Sequence, residues 1–343
     1  MTANNGTARR GAVGMLVDRP LLLAALGAVI ISTSAVLVVL AGASAASTAF
    51  FRTGLALPVL LVLALLEQRR NGSRPLAQRL RAGLAGLFLA VDLIVWTHAI
   101  ADIGAGVATV LGNLQVLFVA GIAWLVWHER PHRSVLAAIP VVMAGVVLVS
   151  GLVGGHGTAA HPIAGVIYGV STGVSYAAFI ITLRRSSTGS PHVAGPMADA
   201  TAGAAVAALA YGLVFGGLTL HPVWPAFGWL LTLALVSQVI GWLALTSSLP
   251  RLPASVGSLM LLLQPAASLA LAAIILNQLP TLLQILGAVL ICGGALGASV
   301  AAARTADRRP AAPDPAAPDP AAADPAAAGD PAAVTGSGTP IPG

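Results

Sequence analysis

The sequence predicts an all-α membrane protein: ten transmembrane helices in two inverted five-helix repeats, with both termini in the cytoplasm. Three observations predict it. Hydrophobic residues make up 57% of the 343 and charged residues 8%, where a water-soluble domain carries about 25% charged residues. Such a chain cannot clothe a globular surface in charge, so lipid must be its solvent. Second, the stretch 107–132 recurs without a gap 149 positions later, at 256–281. Leu114-Gln115 falls on Leu263-Gln264, Ala123 on Ala272, Pro131 on Pro280 and Glu129 on the isosteric Gln278, and the offset extends from Thr97 on Thr246 to Gly145 on Gly294. A doubled apolar unit of helix length with an amide at its centre reads as a transporter repeat. Third, the arginines sort to one side of the membrane.

Taken in order, residues 1–19 are polar and carry Arg9, Arg10 and Arg19. The apolar run 21–41 exceeds the roughly 7–15 residues of a signal-peptide core and reads as a retained first span. Nine more runs follow, at 47–66, 83–101, 104–127, 134–153, 163–183, 196–217, 226–247, 254–276 and 281–302. Each is near the roughly 20 residues that cross a bilayer as helix. With the N-terminus inside, the segments 9–19, 69–81, 130–133, 184–185, 251 and 304–309 are cytoplasmic, and they hold 16 of the 17 arginines. The loops near Ser44, Asp102, His156, His221 and Asn277 hold none, as the positive-inside rule requires. A miscount by one helix would scatter this partition. Five spans per unit is an odd number, so the second unit enters from the opposite side. The first repeat is then 20–153, the second 154–302, and the Pro-, Ala- and Asp-rich stretch 303–343 is a disordered cytoplasmic tail.

Several function classes fall away. The pI near 10.9 comes from arginines scattered over short loops, not from one basic face, so nucleic acid is not the partner. Cys292 is the one cysteine, which excludes an intrachain disulfide and a Cys-based zinc site. His128-Glu129-Arg130-Pro131-His132 matches H-E-x-x-H, but zinc-protease chemistry needs both histidines on one face of an unbroken helix, and Pro131 opposes one. No metal, cofactor or enzymatic chemistry is expected.

Polar groups in hydrocarbon are costly and mark candidate function. At about 1.5 Å per residue, Asp92 lies roughly 13 Å into the third span, Gln115 and Gln264 about 15 Å into the fourth and ninth, and Gln238 about 18 Å into the eighth. All four sit near the midplane, joined by Asn113, Trp96, Trp242 and Tyr176. Amides, aromatics and one carboxylate around a cavity suit a small zwitterionic or amphipathic solute; for the amides, plain interhelical hydrogen bonds are the alternative. An unpaired Asp92 could take up and release a proton in each cycle. Arg52, roughly 8 Å below the outer surface, reaches towards Asp92, either as part of the site or in a fixed ion pair. His98 is a proton relay at the outer mouth or an interfacial histidine. Asp199 is expected to meet water or Arg184 and Arg185. Gly165, Gly169, Gly173 and Ala177 share one helix face, and Gly195 and Gly203 flank Asp199; such faces let helices approach closely in lipid.

Three short motifs carry a resemblance. Phe51-Arg52 is similar to an Arg-aromatic motif, His128-Glu129-Arg130 to a Gly-Glu-Arg ending, and Leu263-Gln264-Pro265 to a Leu-Glu-Pro in the ninth span. Over about 20–302 the chain resembles the EamA family of the drug/metabolite transporter superfamily. The resemblance implies two five-helix bundles around a central cavity and export of amino acids or other small metabolites and drugs. Gln264 stands where members often carry glutamate, and Asn277-Gln278 where the second repeat often carries Gly-Glu. That leaves Asp92, which rests on depth and not on the resemblance, as the proton carrier, or else facilitated diffusion.

The reading is an inner-membrane efflux transporter working by alternating access, with the bilayer, a small-molecule substrate and protons as its partners. A homodimer is left open. The rival readings are a non-transporting membrane scaffold of the same fold and an intramembrane enzyme.

Overall fold

The computed structural model describes residues 19–128, 133–149, 160–187, 189–252 and 254–307. All of the regular structure among them is helical. In chain order the helices are α1 (Pro20–Ala41), α2 (Ala45–Asn71), α3 (Leu76–Ile103), α4 (Ala105–Gly112), α5 (Gln115–Trp127), α6 (Arg133–Val149), α7 (Pro162–Ser187) and α8 (Ala194–Phe215). Then follow α9 (Ala226–Thr232), a π-helical segment (Leu233–Gly241), α10 (Trp242–Ser248), α11 (Ala254–Leu276) and α12 (Leu282–Asp307). Eight stretches are long and apolar enough to cross a membrane, with Ala105–Val126 and Ala226–Ser248 each counted as one. Arg133–Val149 and Met260–Leu276 are shorter apolar helices.

Most helices overrun the apolar runs that predict them. Leu76–Ile103 starts seven residues before the run at 83–101, and Leu282–Asp307 continues past 302. Hydropathy reads only the length dissolved in hydrocarbon, whereas a helix satisfies its own backbone beyond it. The first five residues assigned to the tail are therefore helical, and 308–343 lie outside the described residues, as do 1–18.

Two runs expected as single helices are interrupted. Between α4 and α5, Asn113 N–H donates to Val110 and Leu114 N–H to Leu111, each three residues back. The chain tightens there at Gly112-Asn113, where a short amide side chain competes with helical bonding. The eighth run changes register across the π segment, which places one extra residue in each turn.

Side-chain and backbone bonds tie particular helix ends together. At one end Thr219 N–H donates to Ser47 Oγ at 2.8 Å and Ser44 Oγ bonds Gly217 O. Ala160 N–H donates to Asp102 O at 2.8 Å, and Ala105 N–H donates to Gln278 Oε1 at 2.9 Å. At the other end the Glu67 carboxylate accepts from Val193 N–H at 2.6 Å and Gly195 N–H at 2.8 Å. There Asp199 pairs with Arg74, and with Arg79 at 3.7 Å. Where water or Arg184 and Arg185 were expected, Asp199 meets Arg74 in the α2–α3 turn and Arg79 in α3, because α8 enters beside that turn.

The core is built by close backbone approach. A Cβ on Gly86 would lie 2.1 Å from Ala200 O, and one on Gly203 would lie 2.2 Å from Gly83 O. So α3 and α8 cross almost in backbone contact, which small residues permit. Gly165, Gly169 and Gly173 play the same part where α7 meets Ile103, Leu111 and Leu114. Buried Leu89, Leu93, Phe179, Met197 and Trp242 fill one core; Trp96, Leu111, Val142 and Ile291 fill another.

Candidate functional site

A cavity of about 90 Å³ lies where α1, α2, α3, α4, α5, α7, α10 and α11 meet, smaller than the ~300–1,000 Å³ of a typical small-molecule site. Helical spacing delivers its lining. Leu89, Asp92, Leu93 and Trp96 occupy one face of α3 at i, i+3, i+4 and i+7; Thr172 and Tyr176 on α7, and Gln264 and Ser268 on α11, stand at i and i+4. The break between α4 and α5 is what turns Asn113 and Gln115 to the same space.

Arg52 enters from α2 and is 5% exposed. Its Nε donates to Gln238 Oε1 at 2.8 Å, and its guanidinium lies 5.8 Å from the centre of the Trp96 ring, a cation–π distance. Asp92 is close enough to interact with Arg52 electrostatically, yet the two form no ion pair among the described residues. Asp92 Oδ1 is buried with no hydrogen-bond partner among the described residues, as are Gln115 Oε1 and Thr172 Oγ1. Buried polar atoms are ordinarily satisfied, and these three stand around one cavity. Tyr176, Phe179 and Trp242 make an aromatic wall with ring centres 5.6–6.0 Å apart. Ser268 Oγ donates to Thr109 Oγ1 at 3.1 Å, bracing α11 on α4, and Ser32 Oγ reaches Gln264 O at 3.0 Å, bracing α1 on α11.

Eight of the ten residues singled out by depth or type line this cavity: Arg52, Asp92, Trp96, Asn113, Gln115, Tyr176, Trp242 and Gln264. Gln238 stands behind Arg52, fully buried. His98 is elsewhere, stacked on Tyr168 at 5.1 Å. Sequence reasoning missed Ser32, Ser34, Thr109, Thr172 and Ser268. Small hydroxyls in apolar helices commonly bond back to their own turn, as Ser34 and Thr109 do here, so their pattern alone gave no signal.

Among the described residues no three of His, Cys, Asp and Glu gather as a metal site would need. The H-E-x-x-H motif begins at His128, which caps the end of α5 in a left-handed conformation (φ 56°). Its remaining residues, 129–132, lie outside the described residues.

A model of the EamA-like transporter family matches residues 19–151 and again residues 163–300. The chain belongs to the EamA-like transporter family. As a member it is a multi-pass membrane protein of a family that transports small molecules, and the family unit occurs in it twice. A solved structure titled "Crystal structure of protein" shares the fold at TM-score 0.56 and 20% identity, covering 84% of this chain and 99% of its own. No curated protein matches.

Proposed function

We propose that this EamA-like protein is a secondary transporter of the cell membrane that moves a small zwitterionic or cationic amphipathic solute outward through the central cavity. The observation that carries the reading is the pairing of opposites in one cavity. Arg52, held by Gln238, offers a cation; Asp92 offers a carboxylate oxygen with no hydrogen-bond partner among the described residues. Solute carboxylate would meet Arg52, solute ammonium would meet Asp92, Gln115 and Thr172, and the apolar part would lie on Trp96, Tyr176 and Trp242. Amino acids and amine-bearing drugs have this make-up.

The architecture proposed is ten spans as two inverted repeats, 20–153 and 154–302, with cytoplasmic termini. It is supported by which ends bond to each other. The α1–α2 turn and the far end of α8 share one side, as do the end of α3 and the start of α7. The α2–α3 turn and the start of α8 share the opposite side. The second unit then starts on the side where the first helix of the chain finishes. Rocking of two such units about the cavity would expose it to each face in turn.

Coupling is proposed through Asp92, the carboxylate lining the cavity, which would carry a proton when the solute leaves. Facilitated diffusion is the rival mechanism, and a non-transporting scaffold is the rival function. Purified protein in liposomes loaded with a panel of amino acids and cationic drugs separates them. Solute-selective efflux is expected; no efflux across the panel from folded protein would favour the scaffold.

A further inference from the structure

A second pocket, of about 70 Å³, opens between the C-terminal part of α2, the α2–α3 turn and the start of α8. It is unlike the central cavity. One wall is apolar and outward-facing, with Leu61 43% and Leu65 58% exposed. The other end is basic, built by Arg74, Arg79 and His192. Arg74 is the anchor: its side chain is 7% exposed, yet its Nη1 has no hydrogen-bond partner among the described residues. Gly195 makes the room it occupies, since a Cβ there would lie 2.7 Å from Arg74 Nε and 3.0 Å from Nη2.

Counter-charges are present and must be counted. Asp199 takes Arg74 Nη2 and stands 3.7 Å from Arg79 Nε. Glu67 is occupied by the Val193 and Gly195 amides. His192 is held between Ser190 Oγ and Gly72 O. Arg74 and Arg79 are thus matched by Asp199 and Glu67, and the excess positive charge comes from the arginines around the mouth. Arg69, Arg70 and Arg81 add an exposed positive field around it. A basic pocket at a helix end beside an exposed leucine wall has the two-part chemistry of a phospholipid: phosphate at one end, acyl chain at the other.

We propose that this pocket is a specific site for an anionic phospholipid, whose phosphate accepts from Arg74 Nη1 and Arg79 and whose acyl chain runs along Leu61 and Leu65. The bound lipid braces the α2–α3 turn against α8 on the side bearing the Arg74–Asp199 pair. To test it, the purified full-length chain in neutral detergent is titrated with dioleoyl-phosphatidylglycerol, with dioleoyl-phosphatidylcholine and with inorganic phosphate while its melting midpoint is followed. A saturable rise with phosphatidylglycerol alone is expected. Arg79→Gln should weaken its apparent affinity about fivefold, and Gly195→Ala, which displaces the guanidinium without removing a charge, should weaken it as well. Arg79→Gln leaves the Arg74–Asp199 pair in place, whereas Gly195→Ala shifts the guanidinium that makes it. An equal response to phosphatidylcholine, or an unchanged response in both variants, would overturn the proposal; so would inorganic phosphate matching the lipid, which would make this a free-anion site. Should a variant fail to give a melt, the contrast between the three ligands on the unaltered chain still decides.

Discussion

Arg52 and Gln238 form a unit whose members do different things. The guanidinium faces the cavity, while Gln238 is fully buried and offers it an acceptor. Gln238→Leu leaves a buried charged donor unmet, which costs about 1–3 kcal/mol; the variant should melt earlier and transport poorly. Gln238→Glu restores an acceptor but neutralises the charge offered to the solute. It should keep stability close to that of the unaltered protein while raising the solute concentration needed for half-maximal efflux. Equal stability and equal transport in both variants would contradict the assignment. At this scale the sequence was informative where one residue stood out chemically: a carboxylate and four amides in apolar runs are visible by type and depth alone. It was uninformative on who meets whom. Arg52 was placed near Asp92 by reach, but the bond runs to Gln238, 186 positions away, and no local pattern encodes that pairing.

Among the elements, α3 and α8 depend most on side-chain absence. Gly86→Ala and Gly203→Ala would drive a methyl into backbone at 2.1 and 2.2 Å, a form of overpacking that costs about 1–3 kcal/mol. Gly54→Ala on α2, where a Cβ meets nothing within 4 Å, is the control and should melt like the unaltered chain. A melting series in detergent checks all three. Helix order was legible because 20-residue apolar runs leave the chain little choice in lipid. The interruptions were not. Gly112-Asn113 looks like any small-polar pair inside an apolar run, and the π segment carries no Gly or Pro before Gly241. A break and a register change both depend on neighbouring helices accepting the displaced backbone, and that information lies in tertiary packing. Both interruptions deliver candidate site residues: Asn113 and Gln115 flank the first, and Gln238 sits in the second. Discontinuous helices at the midplane are where transporters place their binding groups.

For the whole molecule, the end-to-end bonds put Thr219 beside the α1–α2 turn and the α2–α3 turn beside the start of α8, and the arginine partition proposes which of these ends is cytoplasmic. With Cys292 replaced by serine, an impermeant maleimide added to intact cells should label Thr219→Cys and spare Arg70→Cys; the reverse pattern would invert the proposed topology. The doubled unit was legible because 149 residues separate matching positions through 26 consecutive residues of each copy, and the family match at 19–151 and 163–300 follows the same division. Substrate and coupling were not legible, since they rest on where a few side chains converge. In the proposed cycle the cavity holding Asp92 is the path of both solute and proton. Its most direct test is efflux from proteoliposomes with and without an imposed pH gradient, comparing the unaltered protein with Asp92→Asn. The account predicts that the gradient accelerates efflux in the unaltered protein and that Asp92→Asn abolishes the acceleration. Efflux indifferent to both the gradient and the substitution would contradict it.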